Sequence, residues 1–573
     1  MGFLPELAYV TQQREVIGEF GGYNHNLRIA GNEWYDMQNM SSSLYPLMTQ
    51  RPKRARVRQL NKANGLFSHN KLCWVDGTDF FYDGVAKGKV KDSRKQFVGM
   101  GAYILVWPDK VAYNTNTDEF FPLGNKTTTT GTVTSSLCQA DGLGYEDYTI
   151  SDTAPEEPKD GTLWLDTSGS PHALKVYSTS TAMWSPIATT YVKIAAAGIG
   201  KGFAKYDGVS ISGLATEAHN GEFILYGVGD DYIIITALID EVTEQTEPVT
   251  VERKVPDMDY ITESENRVWG CSSENHEIYA CAQGDPKNWN KFLGVASDSY
   301  AMTVGTPGDF TGAATYLGSV IFFKEGVLHK IQGTRPSNYQ LTNTNCRGVA
   351  KGSEGSLVIV NETLYYKSRN EVCVYQGSLP TAISAALGNV VYTDANAGAV
   401  NGKYYVSMKD AQGVAHMMVF DEQRQMWHRE DNAAAIDFAA LGAELYYIDE
   451  RDNCLYSVGG SVGEYGDSRA KLEDKIEWMV QSGDVGLDSP DAKYISKLQL
   501  RLSVDEHALV CIDVQYDEED GWQEMYRINP AYKRSYTIPI IPKRCDHMRI
   551  RIRGYGRCVI YTLTRNVEQG GEP

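Results

Sequence analysis

One segment near the middle of the chain concentrates side chains that could carry out catalysis. It runs from Val255 to Phe292 as VPDMDYITESENRVWGCSSENHEIYACAQGDPKNWNKF, with three aspartates, two cysteines and three glutamates ahead of His276. Carboxylates serve as general acids and bases, and together with His and Cys they ligate metals. The segment is either an active site or one unit of a repeated scaffold, and the elements around it decide between the two.

Motifs that would support catalysis are missing from the sequence. The ten histidines show no HExxH spacing, and the SxDxGxxW box of sialidase-like propellers does not occur. GIGKGF at Gly198 lacks the full Walker pattern, and DERDN at Asp449 is too short for a calcium loop. Glycoside hydrolysis needs two carboxylates about 5 to 10 Å apart, a distance that a sequence does not give. We predict that the chain is not an enzyme and has no catalytic or metal-binding residue and no cofactor.

Composition favours a β-rich protein from a reducing compartment. The 36 tyrosines and 54 glycines suit strands joined by tight turns. The ten cysteines form no CxxC pair, and several occupy strand-like apolar positions, which predicts buried free thiols. We find no targeting signal at the start of the chain and no apolar run near ~18 residues, so no membrane anchor is expected. The net charge of −19 argues against general nucleic-acid binding.

A recurring hairpin pattern is the strongest structural signal. In each copy two β-branched or aromatic runs flank a short polar turn, and the copies begin at Lys71, Ala102, Glu222, Arg267, Val320, Leu364, Lys403 and Leu445. The last four start at intervals of 44, 39 and 42 residues, and periods of about 40 to 45 residues match one four-stranded propeller blade. We predict an all-β fold with a β-propeller of about seven or eight blades over residues 61–123 and 195–460. An irregular array of β-sandwiches is the alternative.

Residues 124–194 interrupt the hairpin series. KTTTTGTVTSS has the composition of a linker, and the alternating apolar residues after it predict a small inserted β module that is dispensable for folding. Trp164, Tyr177 and Trp184 either fill a small core or form a face on which sugars stack. Segments similar to GTLWLDTS…LKVY…W recur in phage tail fibres and adhesins.

The two ends of the chain carry basic stretches. Residues 461–573 are predicted to form a C-terminal β-sandwich, because Met548, Ile550 and Ile552 alternate with arginines. Those arginines are candidates for docking to an acidic neighbouring subunit: Arg549, Arg551 and Arg553. Residues 1–60 are predicted to form an N-terminal arm and platform segment, in which the run RPKRARVR is an exposed tail or an arm laid over a neighbour. Its interface candidates are Arg51, Lys53, Arg54 and Arg56.

Several phrases of the sequence carry a family resemblance. EFGGYNHNLRIAGNEWYDMQNM and RPKRARV are similar to the usual start of a group of tailed-phage virion proteins. More specific are VPDMDYITESENRVWGC, IYACAQGDPKNWNKF, GDFTGAATYLGSVIFFKEGVLHKIQGTRPSNYQL, RGVAKGSEGSLVIVNETLYYKSRNEVCVY and GSLPTAIS. Together they resemble tail proteins of the phage stabilisation or tail-nozzle type. The likeness covers roughly residues 15–460 and is strongest from Val251 to Leu387.

The resemblance implies a structural role in the virion. Subunits of that type form a hexameric ring below the portal and its adaptor, through which DNA leaves. It implies a homo-oligomer that is made in the host cytoplasm, joins the portal adaptor and tail fibres, and lets viral DNA pass without binding it tightly. The family brings no catalytic residues, so we interpret the segment from Val255 as scaffold in which Trp289 and Phe292 pack at a blade edge. The alternative is a host-surface adhesin whose inserted module contacts host glycan.

Overall fold

The computed structural model describes residues 12–488, 492–517, 521–529 and 534–569; the start of the chain, where no targeting signal is expected, lies outside them. The all-β prediction is confirmed, because the only helices in the described residues are short 3₁₀ turns, at Glu217–His219, Pro336–Asn338, Glu354–Ser356 and Ala385–Leu387. None of these is long and apolar enough to cross a membrane. The chain divides into two compact units: Met1–Lys95 with Phe322–Leu328 and Asn343–Pro573, and Gln96–Ile321 with His329–Thr342.

Seven small sheets, numbered 1 to 7 here, are built mainly from consecutive strands. Sheet 1 contains Ala63–His69, Lys71–Asp76, Asp79–Tyr82 and Val85–Lys89, and sheet 2 contains Gln96–Met100, Tyr103–Trp107, Val111–Asn114 and Glu119–Pro122. Sheet 3 contains Tyr260–Ser264, Arg267–Ser272, Glu277–Ala280 and Tyr300–Thr303, and sheet 4, which contributes residues to both units, contains Gly312–Tyr316, Ser319–Lys324, Val327–Gln332 and Gln340–Asn345. Sheet 5 contains Val358–Val360, Thr363–Lys367, Val372–Tyr375 and Thr381–Ala382, and sheet 6 contains Thr393–Val400, Lys403–Lys409, Ala415–Asp421 and Met426–Arg429.

Sheet 7 combines strands from distant parts of the chain. Its consecutive strands are Ala435–Leu441, Glu444–Asp449 and Cys454–Ser457, and it is completed by Ala55–Gln59 and Lys471–Leu472. Ala55–Gln59 pairs antiparallel with Cys454–Ser457. A strand from the predicted N-terminal arm is therefore part of this sheet.

In the first unit, the first strands of sheets 5, 6, 7 and 1 lie side by side in that order. The Leu66 amide donates to Asp437 at 3.1 Å, joining sheets 1 and 7. Gly398 of sheet 6 has no room for a side chain, because a Cβ there would lie 2.6 Å from the Cβ of Phe438. In the second unit, the first strands of sheets 2, 3 and 4 are likewise neighbours, and the hydroxyls of Thr262 and Thr315 are 3.1 Å apart.

An eight-stranded sheet separates sheets 2 and 3 along the chain. Its strands, in spatial order, are Asn125–Thr128, Thr250–Arg253, Gly208–Ser212, Gly221–Gly229, Tyr232–Thr236, Tyr191–Ala195, Val133–Cys138 and Thr243–Gln245. The boundary expected at residue 194 falls inside this sheet, and so does the hairpin from Glu222 that we assigned to the propeller. A four-stranded sheet is inserted between Val133–Cys138 and Tyr191–Ala195, with strands Thr149–Ser151, Leu163–Asp166, Ala173–Ser178 and Met183–Pro186. We call residues 124–254 the inserted domain.

The C-terminal region is a sandwich of two sheets that also takes strands from the N-terminal segment. One sheet has the order Met40–Ser41, Met48–Gln50, Cys558–Gln569, Lys493–Val504 and Ser535–Ile538, and Gln12–Ile17 also pairs with Cys558–Gln569. The other has the order Trp34–Gln38, Glu477–Ser482, Met548–Tyr555, Leu509–Tyr516 and Gln523–Ile528. The predicted sandwich is thus completed by residues that we assigned to a separate arm.

One hydrophobic core joins this sandwich to sheets 5 and 6. It includes Trp478, Ile512 and Ile552 of the sandwich together with Tyr404 of sheet 6. Tyr23 forms single β-bridges both to Trp34 and to Trp427. Because the core is continuous, the sandwich and these two sheets are expected to unfold together rather than as separate domains.

Candidate interaction surfaces

The central side chains of the segment from Val255 to Phe292 are buried and make contacts within the fold. Arg267 is 1% exposed and donates to the carbonyl of Cys281 at 2.8 Å and to that of Ala296 at 2.6 Å. Trp289 is buried against Trp107 with ring centroids 6.1 Å apart, but Phe292 is 55% exposed. The expected packing of Phe292 is therefore wrong, because this residue lies on an exposed loop beyond the buried turn.

The described residues hold no cluster of three or more His, Cys, Asp or Glu side chains able to bind a metal. All ten cysteines are free thiols and all but Cys346 are buried, as predicted. Burial raises the pKa of Asp437 to about 6, the range of a general acid. Its two oxygens, however, are occupied by Arg94 at 2.8 Å and by the Leu66 amide, so this carboxylate links sheets 7 and 1.

The prediction that Arg51 and Arg54 lie on an exposed arm is wrong. These side chains are 3% and 4% exposed and bind acidic residues of the same chain. Arg51 lies 2.8 Å from Glu473, and Arg54 lies 2.5 Å from Glu430. Asp431 contacts both arginines, at 3.3 and 2.7 Å. We call these five residues the ion cluster.

The ion cluster fixes the two places where the chain crosses between the sandwich and sheet 7. One crossing follows Gln50 and the other precedes Glu477, and they run together because the Glu473 amide donates to the Arg54 carbonyl at 2.9 Å. Burial opposes ionisation of Asp431, but Arg54 and Arg51 outweigh it and hold the pKa of this carboxyl below its usual range. The cluster is thus a paired, buried set of charges and not a free basic tail.

Lys53 and Arg56 flank the ion cluster. Lys53 is exposed and donates to the Asp474 carbonyl at 2.9 Å. Arg56 approaches the Cys454 sulfur at 3.1 Å and extends along sheet 7. A cleft of about 1500 Å³ opens beside the crossings, lined by residues 43–44, 49–53, 474–476, 504–509, 529 and 555–557. Of the four predicted interface residues in this run, only Lys53 offers an exposed charge.

The C-terminal arginines form a second, separate group on the outer face of the sandwich. Met548, Ile550 and Ile552 are buried and the alternating arginines are not, as predicted. Arg549 pairs with Asp484 at 2.5 Å, while Arg551 and Arg553 lie 2.8 and 2.7 Å from Asp513. Asp513 is only 1% exposed beneath them. The three arginines therefore already have carboxylate partners within the sandwich.

The three aromatic residues of the inserted sheet come together. Trp164 lies 5.3 Å from Trp184, and Tyr177 lies 5.2 Å from Trp184, measured between ring centroids. Trp164 is buried and donates to the Ser151 carbonyl at 3.0 Å, whereas the other two rings are half-buried. Leu165 and Leu174, on the opposite face, belong to the core of the inserted domain. The aromatic cluster is thus on the face turned away from that core.

The inserted domain has its own arginine at the point where it leaves the sheets. Arg253 is 4% exposed, pairs with Asp207 and donates to the Leu123 carbonyl at 3.2 Å. This bond holds Leu123, just before the inserted domain begins, next to the strand Thr250–Arg253, with which the domain ends. The local sequence pattern reveals neither Arg253 nor the acidic partners of Arg51 and Arg54, because each partner is distant in sequence.

Comparison with known proteins gives no family. No family model matches the chain, and no curated protein matches it. Similar solved structures include the exo-β-1,3-galactanase of Phanerochaete chrysosporium, with 8% identity, 52% of this chain and 92% of that chain covered, and a TM-score of 0.21. U3-55K matches at 6% identity over 71% of this chain and 98% of that chain, with a TM-score of 0.28. Hsv2 of Kluyveromyces lactis matches at 10% identity over 62% and 95%, with a TM-score of 0.26. At such low TM-scores these similarities carry no weight for fold or activity.

Proposed function

We propose that this chain is a structural subunit of a bacteriophage tail, forming a homo-oligomeric nozzle or hub ring through which the genome passes. The proposal combines the sequence resemblance with the way the chain is fastened together. The sandwich shares a core with sheets 5 and 6, and its two crossings to sheet 7 are held by the ion cluster. Such fastening suits a rigid building unit that joins neighbouring proteins, and it is the observation on which the proposal rests.

Sheets 1 to 7 are, in the same proposal, the seven blades of one β-propeller. Support comes from the side-by-side first strands within each unit and from Ala55–Gln59, which completes the last sheet with an N-terminal strand. The hairpin from Glu222, the one of the eight that is in none of these sheets, belongs to the inserted domain. Seven blades rather than eight follow from that assignment.

Electron microscopy of the purified full-length chain tests both statements. We expect negative-stain classes with a ring of subunits around a central channel, and light scattering that gives the mass of six chains. The ring proposal fails if the chain stays monomeric at every concentration and salt tested. The propeller proposal fails separately if a high-resolution map of one subunit does not show seven sheets around one axis.

Host-surface adhesion is a second candidate function, because the aromatic cluster at Trp184 is turned away from the core of its domain. Aromatic rings with half-exposed faces suit contact with the apolar faces of sugars. We expect the tryptophan fluorescence of the full chain to change on addition of cellohexaose or chitohexaose, and the Trp184→Ala variant to lose that change. An unchanged spectrum with both oligosaccharides counts against adhesion through this cluster.

A further inference from the structure

A patch of tyrosine and lysine side chains lies on part of the outer face of the eight-stranded sheet. On the strand Tyr191–Ala195, Val192 and Ile194 belong to the core of the inserted domain, so Tyr191 and Lys193 lie on the opposite face. Tyr226 and Tyr206 extend the patch, with Lys205 and Lys291 at its edge. We call these six residues the tyrosine patch.

The rings of the patch are in contact, and the lysines lie over rings. Ring centroids of Tyr191 and Tyr226 are 5.4 Å apart, and those of Tyr226 and Tyr206 are 6.0 Å apart. The ammonium groups of Lys205 and Lys291 lie 5.0 and 5.9 Å from the centroid of Tyr206, which is 37% exposed. Lys193 lies 4.6 Å from the centroid of Tyr232. Five of the six residues are therefore linked through ring contacts, and Lys193 lies beside Tyr191 on the same face of its strand.

Glycines make room for this surface. A Cβ on Gly229 would lie 2.3 Å from the Tyr232 ring, and one on Gly227 would lie 2.6 Å from Ile234. Because real Cβ atoms do not approach so closely, side chains of the next strand lie directly over the glycine backbone. Tyr232 and Ile234 thus pack beside the patch, on the same face of the sheet as Lys193.

The charges of the patch contrast with those of its domain. Residues 124–254 contain 18 Asp and Glu against 8 Lys and Arg, a net −10 of the chain's −19. Yet none of the three patch lysines forms an ion pair among the described residues, despite the excess of carboxylates. The hydroxyls of Tyr191, Tyr206 and Tyr226 also form no hydrogen bond within the described chain. Lys193 donates one bond, to the Gly142 carbonyl at 3.5 Å. The ammonium groups of Lys205 and Lys291 and the three tyrosine hydroxyls are available to a ligand.

We propose that the tyrosine patch binds an anionic glycan that carries carboxylate groups. Tyrosine rings would contact the apolar faces of the sugar rings, the hydroxyls would bond to sugar hydroxyls, and the lysines would pair with the carboxylates. Single-stranded nucleic acid suits the surface less, because the rings are inclined by 60° and 82° instead of offering parallel platforms for bases. The net −10 of the domain also repels a chain with one phosphate per nucleotide. This activity goes beyond the structural role and does not depend on ring formation.

Fluorescence polarisation with the full chain tests the proposal. The probes are labelled oligogalacturonate, labelled dextran as the neutral glycan, and labelled oligo(dT). We expect oligogalacturonate to bind, dextran to bind at least about tenfold more weakly, and oligo(dT) not to bind. Binding should weaken as salt rises from about 0.05 to 0.3 M, because the contacts with lysine are partly exposed to solvent.

Matched variants locate the site. Changing Lys193, Lys205 and Lys291 together to Gln, or Tyr206 and Tyr226 together to Ala, should weaken oligogalacturonate binding about tenfold or more, a loss of about 1.4 kcal/mol or more. The control changes the exposed Lys159, Lys201 and Lys254 to Gln, which removes the same charge from the whole chain. Thermal melting confirms that each variant is folded.

Four results overturn the proposal. They are no binding of oligogalacturonate by the wild type, equal losses in patch and control variants, stronger binding of oligo(dT), and loss of binding in Trp184→Ala rather than in the tyrosine variants. The last result assigns the glycan to the aromatic cluster of the second candidate function. A failure to form rings in the microscope leaves all four readouts unchanged.

Discussion

At the scale of single residues, some of the charge in this protein is paired inside the fold. Arg51 and Arg54 belong to a run that looks like a solvated tail, yet both are buried with carboxylates from residues almost 400 positions away. A run of basic residues does not reveal this, since the acids that pair with it are invisible to local pattern. Burial of paired charges costs desolvation, so such clusters fix geometry more reliably than they add stability.

Removing one member of the ion cluster should expose that cost. We expect Arg54→Met to lower the free energy of unfolding by about 3 to 5 kcal/mol, because Glu430 stays buried with only Arg51, 3.9 Å away, to offset its charge. Urea denaturation at pH 7 measures the change. Lys53→Met, an exposed neighbour, serves as the control and should change stability by less than about 0.5 kcal/mol. Equal losses of stability in the two variants would show that the ion cluster does not stabilise the crossings between the sandwich and sheet 7.

His428 gives the protein a defined acid sensitivity. Burial, with Lys403 nearby, lowers its pKa from 6.5 to about 3, so the folded protein keeps this ring neutral. When folding lowers the pKa of a histidine, the stability that depends on its neutral form is lost as the pH falls from the pKa of the unfolded state toward the pKa of the folded state. Between pH 6.5 and 5, above the range of most carboxyls, the wild type should lose up to about 1.4 kcal/mol per pH unit from this residue. Denaturation midpoints of wild type and His428→Gln should converge with acid, and parallel pH profiles would contradict the assignment.

At the scale of elements, packing separates two aromatic residues only three positions apart. Trp289 is 3% exposed and Phe292 is 55% exposed. We expect Trp289→Ala to cost about 3 to 5 kcal/mol through the cavity left beside Trp107. Phe292→Ala should stay within about 0.5 kcal/mol of wild type. Denaturant unfolding of the two variants in parallel tests the pair, and similar losses would mean that the loop carrying Phe292 is packed.

The topology of the inserted domain changes which deletion should be tolerated. Replacing residues 126–188, the expected dispensable module, removes the strands Asn125–Thr128 and Val133–Cys138 from the eight-stranded sheet. Replacing residues 139–190 instead joins Cys138 and Tyr191, which already face each other in the sheet. We expect the second deletion to give a soluble, cooperatively unfolding protein and the first to give insoluble protein. Gel filtration and far-UV circular dichroism of both products decide this, and the reverse outcome would refute the strand assignment.

The sequence pattern predicted where the hairpins are, but it did not predict reliably which sheet each hairpin belongs to. Alternation in Met548–Tyr555 correctly gave the buried face, because period-two burial is written in adjacent residues. The hairpin from Glu222 has the same local pattern as those of sheets 1 to 7, but its strands pair with Gly208–Ser212 and Tyr191–Ala195. Likewise nothing in ARVRQ indicates that it completes sheet 7. Pairing between distant strands depends on register and core shape, which a local window does not contain.

At the scale of the whole molecule, the distribution of charge bears on contact with DNA. The inserted domain supplies more than half of the net charge of −19, and five arginines of the two basic stretches, Arg51, Arg54, Arg549, Arg551 and Arg553, have carboxylate partners within the chain. Each phosphate bound by a free Lys or Arg would add salt-dependent affinity. We therefore expect negligible binding of the assembled protein to duplex DNA at near-physiological salt in a filter or gel-shift assay. Tight duplex binding would overturn the conduit hypothesis.

The strand Ala55–Gln59 is synthesised long before the strand with which it pairs. Its partner Cys454–Ser457 leaves the ribosome about 400 residues later, and Gln12–Ile17 waits for Cys558–Gln569 for still longer. At about 5 to 20 residues per second, translation leaves the strand Ala55–Gln59 without its partner for roughly 20 to 80 seconds. Trp34, Met37 and Met48 are buried in the finished protein, but the strands that cover them are not yet synthesised during this interval. Apolar side chains exposed in this way favour aggregation of the nascent chain, so we expect slower translation to lower the yield of folded protein.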